Sequence, residues 1–113
     1  MPVELDLAGL PPGSRRLIRV GSIEIAVFNV EGRVFAVNNV CPHRGGPLIR
    51  GTVQITPDGA QLRCPMHGWP FRLATGESVR PGRATVYPVT VHGERIEIDI
   101  GAAMASIHDA REG

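Results

Sequence analysis

Apolar and polar residues alternate over several short stretches of the chain, and this alternation predicts β-strands with one buried face. The period of two is clear over residues 23–27 and unbroken over residues 95–100. Runs rich in β-branched residues predict further strands over residues 18–20, 34–37 and 85–91, and residues 53–55 and 61–63 look like the two strands of a small hairpin. Short turns at Gly21-Ser22 and Glu31-Gly32 separate the first runs, which indicates hairpins.

The middle of the chain, residues 38–83, has a different character, because glycine and proline are dense there. We predict a small hairpin turned at Pro57-Asp58-Gly59, with loops over the rest of this stretch. So long an irregular stretch inside a compact domain needs a functional reason.

Composition supports an all-β fold. Glycine (14) and proline (10) are abundant and aromatic residues make up 4% of the 113 residues, as expected of a small protein with many turns. The length predicts a single domain, residues 1–113. We expect residues 101–113 to form a tail that is a short helix or disordered.

Charge and hydropathy exclude two classes of function. The formal net charge is +1, which excludes a nucleic-acid binder driven by bulk charge. No apolar run approaches the roughly 18 residues of a membrane-spanning helix, and the acidic start shows no signal-peptide pattern. We therefore expect a cytoplasmic protein with no nucleic-acid or membrane partner.

Both cysteines and two of the four histidines lie in the middle stretch, in two near-copies of one motif. The copies are Cys41-Pro42-His43 and Cys64-Pro65-Met66-His67. Two thiolates and two imidazoles from paired loops can make a four-ligand metal site. The alternative is that the cysteines are buried apolar residues or a disulfide, which an intracellular setting disfavours.

The arrangement of the four candidate ligands separates two kinds of metal site. Structural zinc sites of this composition usually take both cysteines from one hairpin and both histidines from one helix. Here each loop supplies one of each. That favours a two-iron cluster with both cysteines on one iron and both histidines on the other, although a single zinc ion stays open.

The loop sequences resemble the Rieske family. The resemblance rests on Cys41-Pro42-His43-Arg44-Gly45-Gly46-Pro47-Leu48, on Cys64-Pro65-Met66-His67-Gly68-Trp69-Pro70-Phe71 and on Leu73-Ala74-Thr75-Gly76. It implies one [2Fe-2S] cluster per chain, with Cys41 and Cys64 on the inner iron and His43 and His67 on the outer iron. It also implies that Val79-Arg80-Pro81-Gly82 is the family's proline loop.

The resemblance further implies an antiparallel β-sandwich or barrel framework with an inserted cluster-binding subdomain. We assign residues 1–39 and 84–100 to the framework and residues 40–83 to the subdomain. High-potential members of the family carry a disulfide between the loops and a serine near the cluster. Gly46, Met66 and Trp69 stand at those positions here, which predicts a potential nearer about −150 mV than +300 mV.

Charge is unevenly distributed. Residues 41–83 hold six arginines and two acidic residues, whereas the remainder holds six arginines and nine acidic residues. The excess of positive charge could steer the cluster end toward an acidic partner. The alternative is that these arginines are ordinary solvated residues or pair with local acidic residues.

Resemblance to Rieske ferredoxins implies a carrier that takes one electron from a flavin-dependent ferredoxin reductase and delivers it to a terminal Rieske oxygenase. The alternative is a small electron-transfer subunit of an assimilatory nitrite reductase, and a third reading is a structural zinc or interaction domain. We predict no catalysis, since a Rieske oxygenase needs a further iron held by two histidines and a carboxylate. The chain has no length left for that second domain.

Overall fold

The computed structural model describes residues 2–42, 45–66, 68–78 and 83–101. Ten strands and two short 3-10 helices, Leu7–Gly9 and Leu48–Arg50, make up the regular structure of this described part. The strands are β1 (Pro2–Asp6), β2 (Arg15–Val20), β3 (Ile23–Val30), β4 (Arg33–Asn38), β5 (Thr52–Thr56), β6 (Gly59–Arg63), β7 (Pro70–Arg72), β8 (Val86–Tyr87), β9 (Val89–His92) and β10 (Arg95–Asp99).

The strands form three antiparallel sheets, which confirms the predicted all-β class. One sheet has the order β2-β3-β4-β8, a second has β1-β10-β9, and a third has β5-β6-β7. Among the described residues, no helix is long and apolar enough to cross a bilayer.

Strand β3 lies between two hydrophobic cores, because successive side chains of a strand point to opposite faces. Ala26 and Phe28 belong to one core, together with both cysteines. Ile25 and Val27 belong to the other core, which includes residues of β10. The expectation that residues 23–27 bury only one face was wrong, since from Ile25 onward both faces are covered.

The predicted strand over residues 85–91 is two strands in different sheets. Tyr87 of β8 pairs with Ala36 of β4, whereas Val89 of β9 pairs with Ile98 of β10. Pro88 separates the two strands and cannot donate a ladder hydrogen bond. Its carbonyl accepts one from Asp99 N at 2.9 Å.

Two strands were not predicted. Strand β1 pairs with β10, so the first and last strands lie side by side. Its sequence, Val3-Glu4-Leu5-Asp6, alternates apolar and polar residues, so the signal was present. Strand β7 has three residues and pairs with β6 in the third sheet. Strands β6 and β7 flank the second cysteine loop, and the local sequence does not reveal that they pair.

Candidate metal centre

The two cysteine loops share one pattern of backbone hydrogen bonds. In the first loop Cys41 N donates to Gly46 O at 2.9 Å, and Gly45 N donates to Cys41 O at 2.8 Å. In the second, Cys64 N donates to Trp69 O at 2.9 Å, and Gly68 N donates to Cys64 O at 3.1 Å. The two near-copies in sequence therefore close in the same way in three dimensions.

A glycine at the fifth position of each loop makes this closure possible. Gly45 has φ +75° and Gly68 has φ +67°, in the left-handed region that favours glycine. A residue with a Cβ atom would strain the turn at either position. The glycines that follow each motif are thus required by the loop's own hydrogen bonds.

The two cysteine loops are anchored to different sheets. Strand β4 precedes the first loop, which closes through a bridge between Val40 and Pro47 and a hydrogen bond of 2.7 Å from Leu48 N to Asn39 O. The second loop joins β6 to β7, and Arg63 pairs with Pro70 at its base. The first loop is therefore held partly by the β2-β3-β4-β8 sheet, and the second by the third sheet.

Both cysteines are buried, free and members of the same hydrophobic core. Burial raises the pKa of the Cys64 thiol, the Met66 N–H lowers it, and the neighbouring Cys41 thiol raises it further. Met66 N donates to Cys64 Sγ at 3.4 Å. The disulfide alternative does not describe these residues, because both thiols are free.

His43 and His67, the other two predicted ligands, lie outside the described residues, as do Arg44 and the predicted proline loop at 79–82. Within the described ranges, no three or more His, Cys, Asp and Glu side chains gather into a metal-binding group. The cysteine pair is the part of the predicted ligand set that the structure brings together. Two thiols from separate loops, meeting in one core, fit the cysteine half of the Rieske ligand set.

Apolar side chains lie exposed next to both cysteines. Val40 is 53% exposed and Met66 is 40% exposed. Pro42 and Pro65, which follow the cysteines, are exposed as well. The described residues beside the two cysteines thus place several apolar side chains in contact with solvent.

The arginines of the middle stretch make local contacts. Arg63 donates to Gln54 Oε1 at 2.9 Å and to Gly68 O at 3.0 Å, which ties the second loop to its own sheet. Both acidic residues of this stretch lie beside arginines, at 3.8 Å in the pairs Arg72–Asp58 and Arg83–Glu77. Such exposed pairs are weak, and the four described arginines of this stretch, Arg50, Arg63, Arg72 and Arg83, all lie exposed.

Sequence reasoning missed residues that support the first loop. Asn39 is 4% exposed and its side chain bonds Ile49 N at 2.7 Å. Arg15 donates to the carbonyl oxygens of Ile49 and Gly51 at 2.9 and 2.6 Å. Two adjacent asparagines, Asn38-Asn39, stand at the end of β4 just before the Cys41 motif and could have indicated this role. Nothing in the sequence around Arg15 indicates its contact with the loop.

The antiparallel framework and the two matched loops define a small protein built around a two-loop thiol centre. The model of the Rieske [2Fe-2S] domain matches residues 3–90. The chain belongs to this family.

Relatives of known role agree with this assignment. The chain is 34% identical over 100 residues to a 3-phenylpropionate/cinnamic acid dioxygenase ferredoxin subunit of Escherichia coli K12, covering 86% of this chain and 91% of that protein. It is 30% identical over 94 residues to the ferredoxin component of the naphthalene 1,2-dioxygenase system of Pseudomonas aeruginosa, covering 80% of this chain and 86% of that protein.

Solved structures show the same fold. The ferredoxin of carbazole 1,9a-dioxygenase from Nocardioides aromaticivorans superposes with a TM-score of 0.74 at 27% identity, over 86% of this chain and 95% of that one. A protein described as an NADH-dependent nitrite reductase small subunit of Mycobacterium tuberculosis superposes with a TM-score of 0.75 at 27% identity, over 87% and 95%.

Proposed function

We propose that the chain is a one-electron carrier with one [2Fe-2S] cluster, held by Cys41 and Cys64 on one iron and His43 and His67 on the other. The observation that carries the proposal is the pair of buried, free thiols in matched loops within one core. Membership of the Rieske family supports the cluster type.

Such a cluster, when bound, supplies a site that accepts and returns a single electron. The chain's own residues set its surroundings. The core around Cys41 and Cys64 keeps water from the thiolates, and the Met66 N–H donates toward Cys64 Sγ. Hydrogen bonds to ligand sulfur tune the potential of such centres. The exposed apolar loop surface at Val40 and Met66 offers an electron partner close approach.

The partners we propose are a flavin-dependent ferredoxin reductase as donor and a terminal Rieske oxygenase as acceptor. Two dioxygenase-system ferredoxins match over most of their own length, and one solved relative is the complex of reduced oxygenase and oxidized ferredoxin in carbazole 1,9a-dioxygenase. We propose that the chain, like these ferredoxins, carries electrons rather than catalysing a reaction, and that it acts in the cytoplasm.

A second candidate is the small electron-transfer subunit of a nitrite reductase. The observation in its favour is the TM-score of 0.75 to the Mycobacterium tuberculosis protein, beside 0.74 to the Nocardioides aromaticivorans ferredoxin. Both roles use the same cluster and differ in the partner that receives the electron.

In either role we assign residues 1–39 and 84–100 to a framework, residues 40–83 to cluster binding and residues 101–113 to a tail. Asn39 and Arg15, both from the proposed framework, bind the backbone of Ile49 in the proposed cluster-binding part. These contacts favour this division of the chain. The arginine excess of the cluster-binding part favours an acidic partner surface.

The first experiment is the iron, sulfide and zinc content of the purified protein, with visible spectra before and after dithionite. Two irons and two sulfides per chain, with a colour that bleaches on reduction, are expected. One zinc and a colourless sample would contradict the proposal. Cys41→Ser and Cys64→Ser should each lose the colour.

The partner is tested separately with the loaded protein. Reduction by NADH and a flavoprotein reductase, followed by reoxidation on adding a terminal oxygenase and its aromatic substrate, would establish the ferredoxin role. Stable co-purification with a large sirohaem-containing subunit, without transfer to an oxygenase, would establish the reductase-subunit role instead.

A further inference from the structure

Asn39 uses all of its polar groups at the base of the first cysteine loop. Its backbone N donates to Glu24 O at 2.8 Å, and its backbone O accepts from Leu48 N at 2.7 Å. Its side chain accepts from Ile49 N at 2.7 Å and donates to Glu24 Oε1 at 3.1 Å. Asn39 is 4% exposed and lies two residues before Cys41, so both chain segments that flank the loop meet at this one buried residue.

Arg15 holds the same segment from its other side. Its guanidinium donates to Ile49 O at 2.9 Å and to Gly51 O at 2.6 Å. The Arg15 guanidinium carbon also lies 5.0 Å from the centre of the Phe28 ring, which fixes its direction. The Ile49 N–H and C=O are thus both bound by side chains, the first by Asn39 directly after β4 and the second by Arg15 of β2.

The segment held in this way touches the second loop. A Cβ atom on Gly51 would overlap the carbonyl oxygen of Arg63 and lie 2.9 Å from Leu62 Cδ1. Arg63 immediately precedes Cys64. A shift of residues 48–51 would therefore press directly on the chain that carries the second cysteine.

The second loop is closed by contacts within the third sheet, and Cys64 packs in the core that this sheet shares with Ala26 and Phe28 of β3. Pairing of Arg63 with Pro70 closes it within the third sheet, and the Arg63 side chain binds Gln54 and Gly68 of the same part of the chain. Residues 48–51 therefore link the base of the first loop to the chain that carries the second cysteine.

We infer that Asn39 and Arg15 are positioning residues that set the relative placement of Cys41 and Cys64, and through it the electronic properties of the bound cluster. Neither side chain touches the thiols; each acts through the backbone of Ile49. This inference rests on the proposed cluster, and it assigns to two framework side chains a role in tuning that cluster.

The test uses Asn39→Ala, which leaves the Ile49 N–H without its partner, and Arg15→Lys, which keeps the charge but loses the guanidinium fork. Arg19→Ala is the matched control, because Arg19 binds Glu24 only at the surface, with 72% of its side chain exposed. Glu24→Gln retains an acceptor for Asn39 and serves as the conservative variant.

Three quantities are measured on the cluster-loaded fraction of each variant: the electron paramagnetic resonance spectrum after dithionite, the midpoint potential and the rate of cluster loss to an iron chelator. We expect shifted resonance positions, a shifted potential and about tenfold faster loss in Asn39→Ala and Arg15→Lys, since each variant leaves backbone polar groups of residues 49–51 without a partner. Arg19→Ala should match the wild type in all three quantities, and Glu24→Gln should keep its resonance positions and potential.

A purely structural role gives a different result. In that case thermal stability falls while the loaded fraction keeps wild-type spectra and potential, and the inference is overturned. If Asn39→Ala does not fold, Arg15→Lys decides alone by the same three measurements. A wild-type protein that binds no [2Fe-2S] cluster would instead refute the proposed function, so the two failures are distinguishable.

Discussion

Gly46 and Met66 lie face to face across the two cysteine loops. A Cβ atom on Gly46 would be 3.0 Å from both Cγ and Sδ of Met66 and 3.4 Å from Cys64 Sγ. These are the positions at which the loop sequences lack the disulfide cysteines of high-potential Rieske proteins. A glycine and a half-exposed methionine side chain fill the space between the loops instead.

This geometry predicts that the double variant Gly46→Cys/Met66→Cys forms a disulfide between the loops. The γ atom of residue 66 would lie 3.0 Å from the new Cβ, and in a disulfide a sulfur lies about 3 Å from the Cβ of the other cysteine. Gly46 is not among the glycines with positive φ, so its backbone accepts a side chain. The cross-link should stabilise the protein by about 3 kcal/mol.

The measurement is the mass of alkylated protein with and without reductant, followed by urea unfolding of both forms. Gly46→Ser/Met66→Ser is the control, with similar volume and no cross-link. If an introduced cysteine formed its disulfide with Cys64 and not with the other introduced cysteine, the loops would not be arranged as described.

Replacing glycine by alanine should reduce the stability of the protein by different amounts at Gly76 and at Gly93. Both have positive φ, +78° and +60°. A Cβ atom on Gly76 would overlap the Ala84 carbonyl oxygen, whereas nothing lies within 4 Å of one on Gly93. Gly93→Ala should therefore cost about 1–2 kcal/mol, the penalty of left-handed backbone alone.

Gly76→Ala should cost several times as much, because the backbone around Ala84 must also move and the hydrogen bond of 2.9 Å from Ala84 N to Gly76 O would be lost. Urea unfolding of the two variants beside the wild type gives the comparison. Equal losses of stability would contradict the close approach of these two backbone segments.

His67→Cys tests the ligand assignment. A thiolate in place of a neutral imidazole adds one negative charge, so we expect a retained cluster with a lower midpoint potential. The potential of the wild type should fall as pH rises through the range where imidazoles titrate, because reduction favours protonation of the ligand rings. This dependence should weaken in the variant.

Potentials are measured by spectroscopic titration between pH 6 and about 10, where the unperturbed imidazole and thiol groups of proteins titrate. His92→Gln is the matched control, since His92 lies in β9 with an exposed side chain next to Glu97. A variant at position 67 that keeps the pH dependence of the wild type unchanged would remove His67 from the ligand set.

The protein should lose stability in acid when the Glu24 carboxylate becomes protonated. Its pKa is held below the ordinary value by the hydrogen bond from Asn39 first and by Arg19 next. A carboxylate with a lowered folded-state pKa stabilises the protein above its unfolded pKa, and this contribution disappears as pH falls through the folded-state value. The loss should therefore appear below about pH 4.5.

Urea unfolding of the protein without cluster, at several pH values from neutrality down to about 3, the lower end of carboxyl titration, measures this contribution. Wild type should be the more stable at neutral pH, and its advantage over Glu24→Gln should shrink in acid. Stability curves that stay parallel would show that Glu24 gains nothing from its partners in the folded state.

Much of the local structure could be read from the sequence. The hairpin of β5 and β6 lies where Pro57-Asp58-Gly59 predicted a turn, and β3 and β4 follow their β-branched runs. Turn chemistry and alternation are properties of neighbouring residues, so they survive in almost any tertiary setting. Strand β7 was missed because three residues are too few to show an alternating pattern. It is a strand because it pairs with β6.

The types of ligand are a prediction from the sequence alone, which also determined the closure of each loop, because Cys41 with Gly45, and Cys64 with Gly68, interact within five residues of chain. Only the tertiary structure decided that both thiols share one core and that Arg15 and Asn39 bind the Ile49 backbone. It also decided that Gly46 faces Met66. Those contacts join segments far apart in the chain, and their partners are chosen by how the sheets pack rather than by any local spacing.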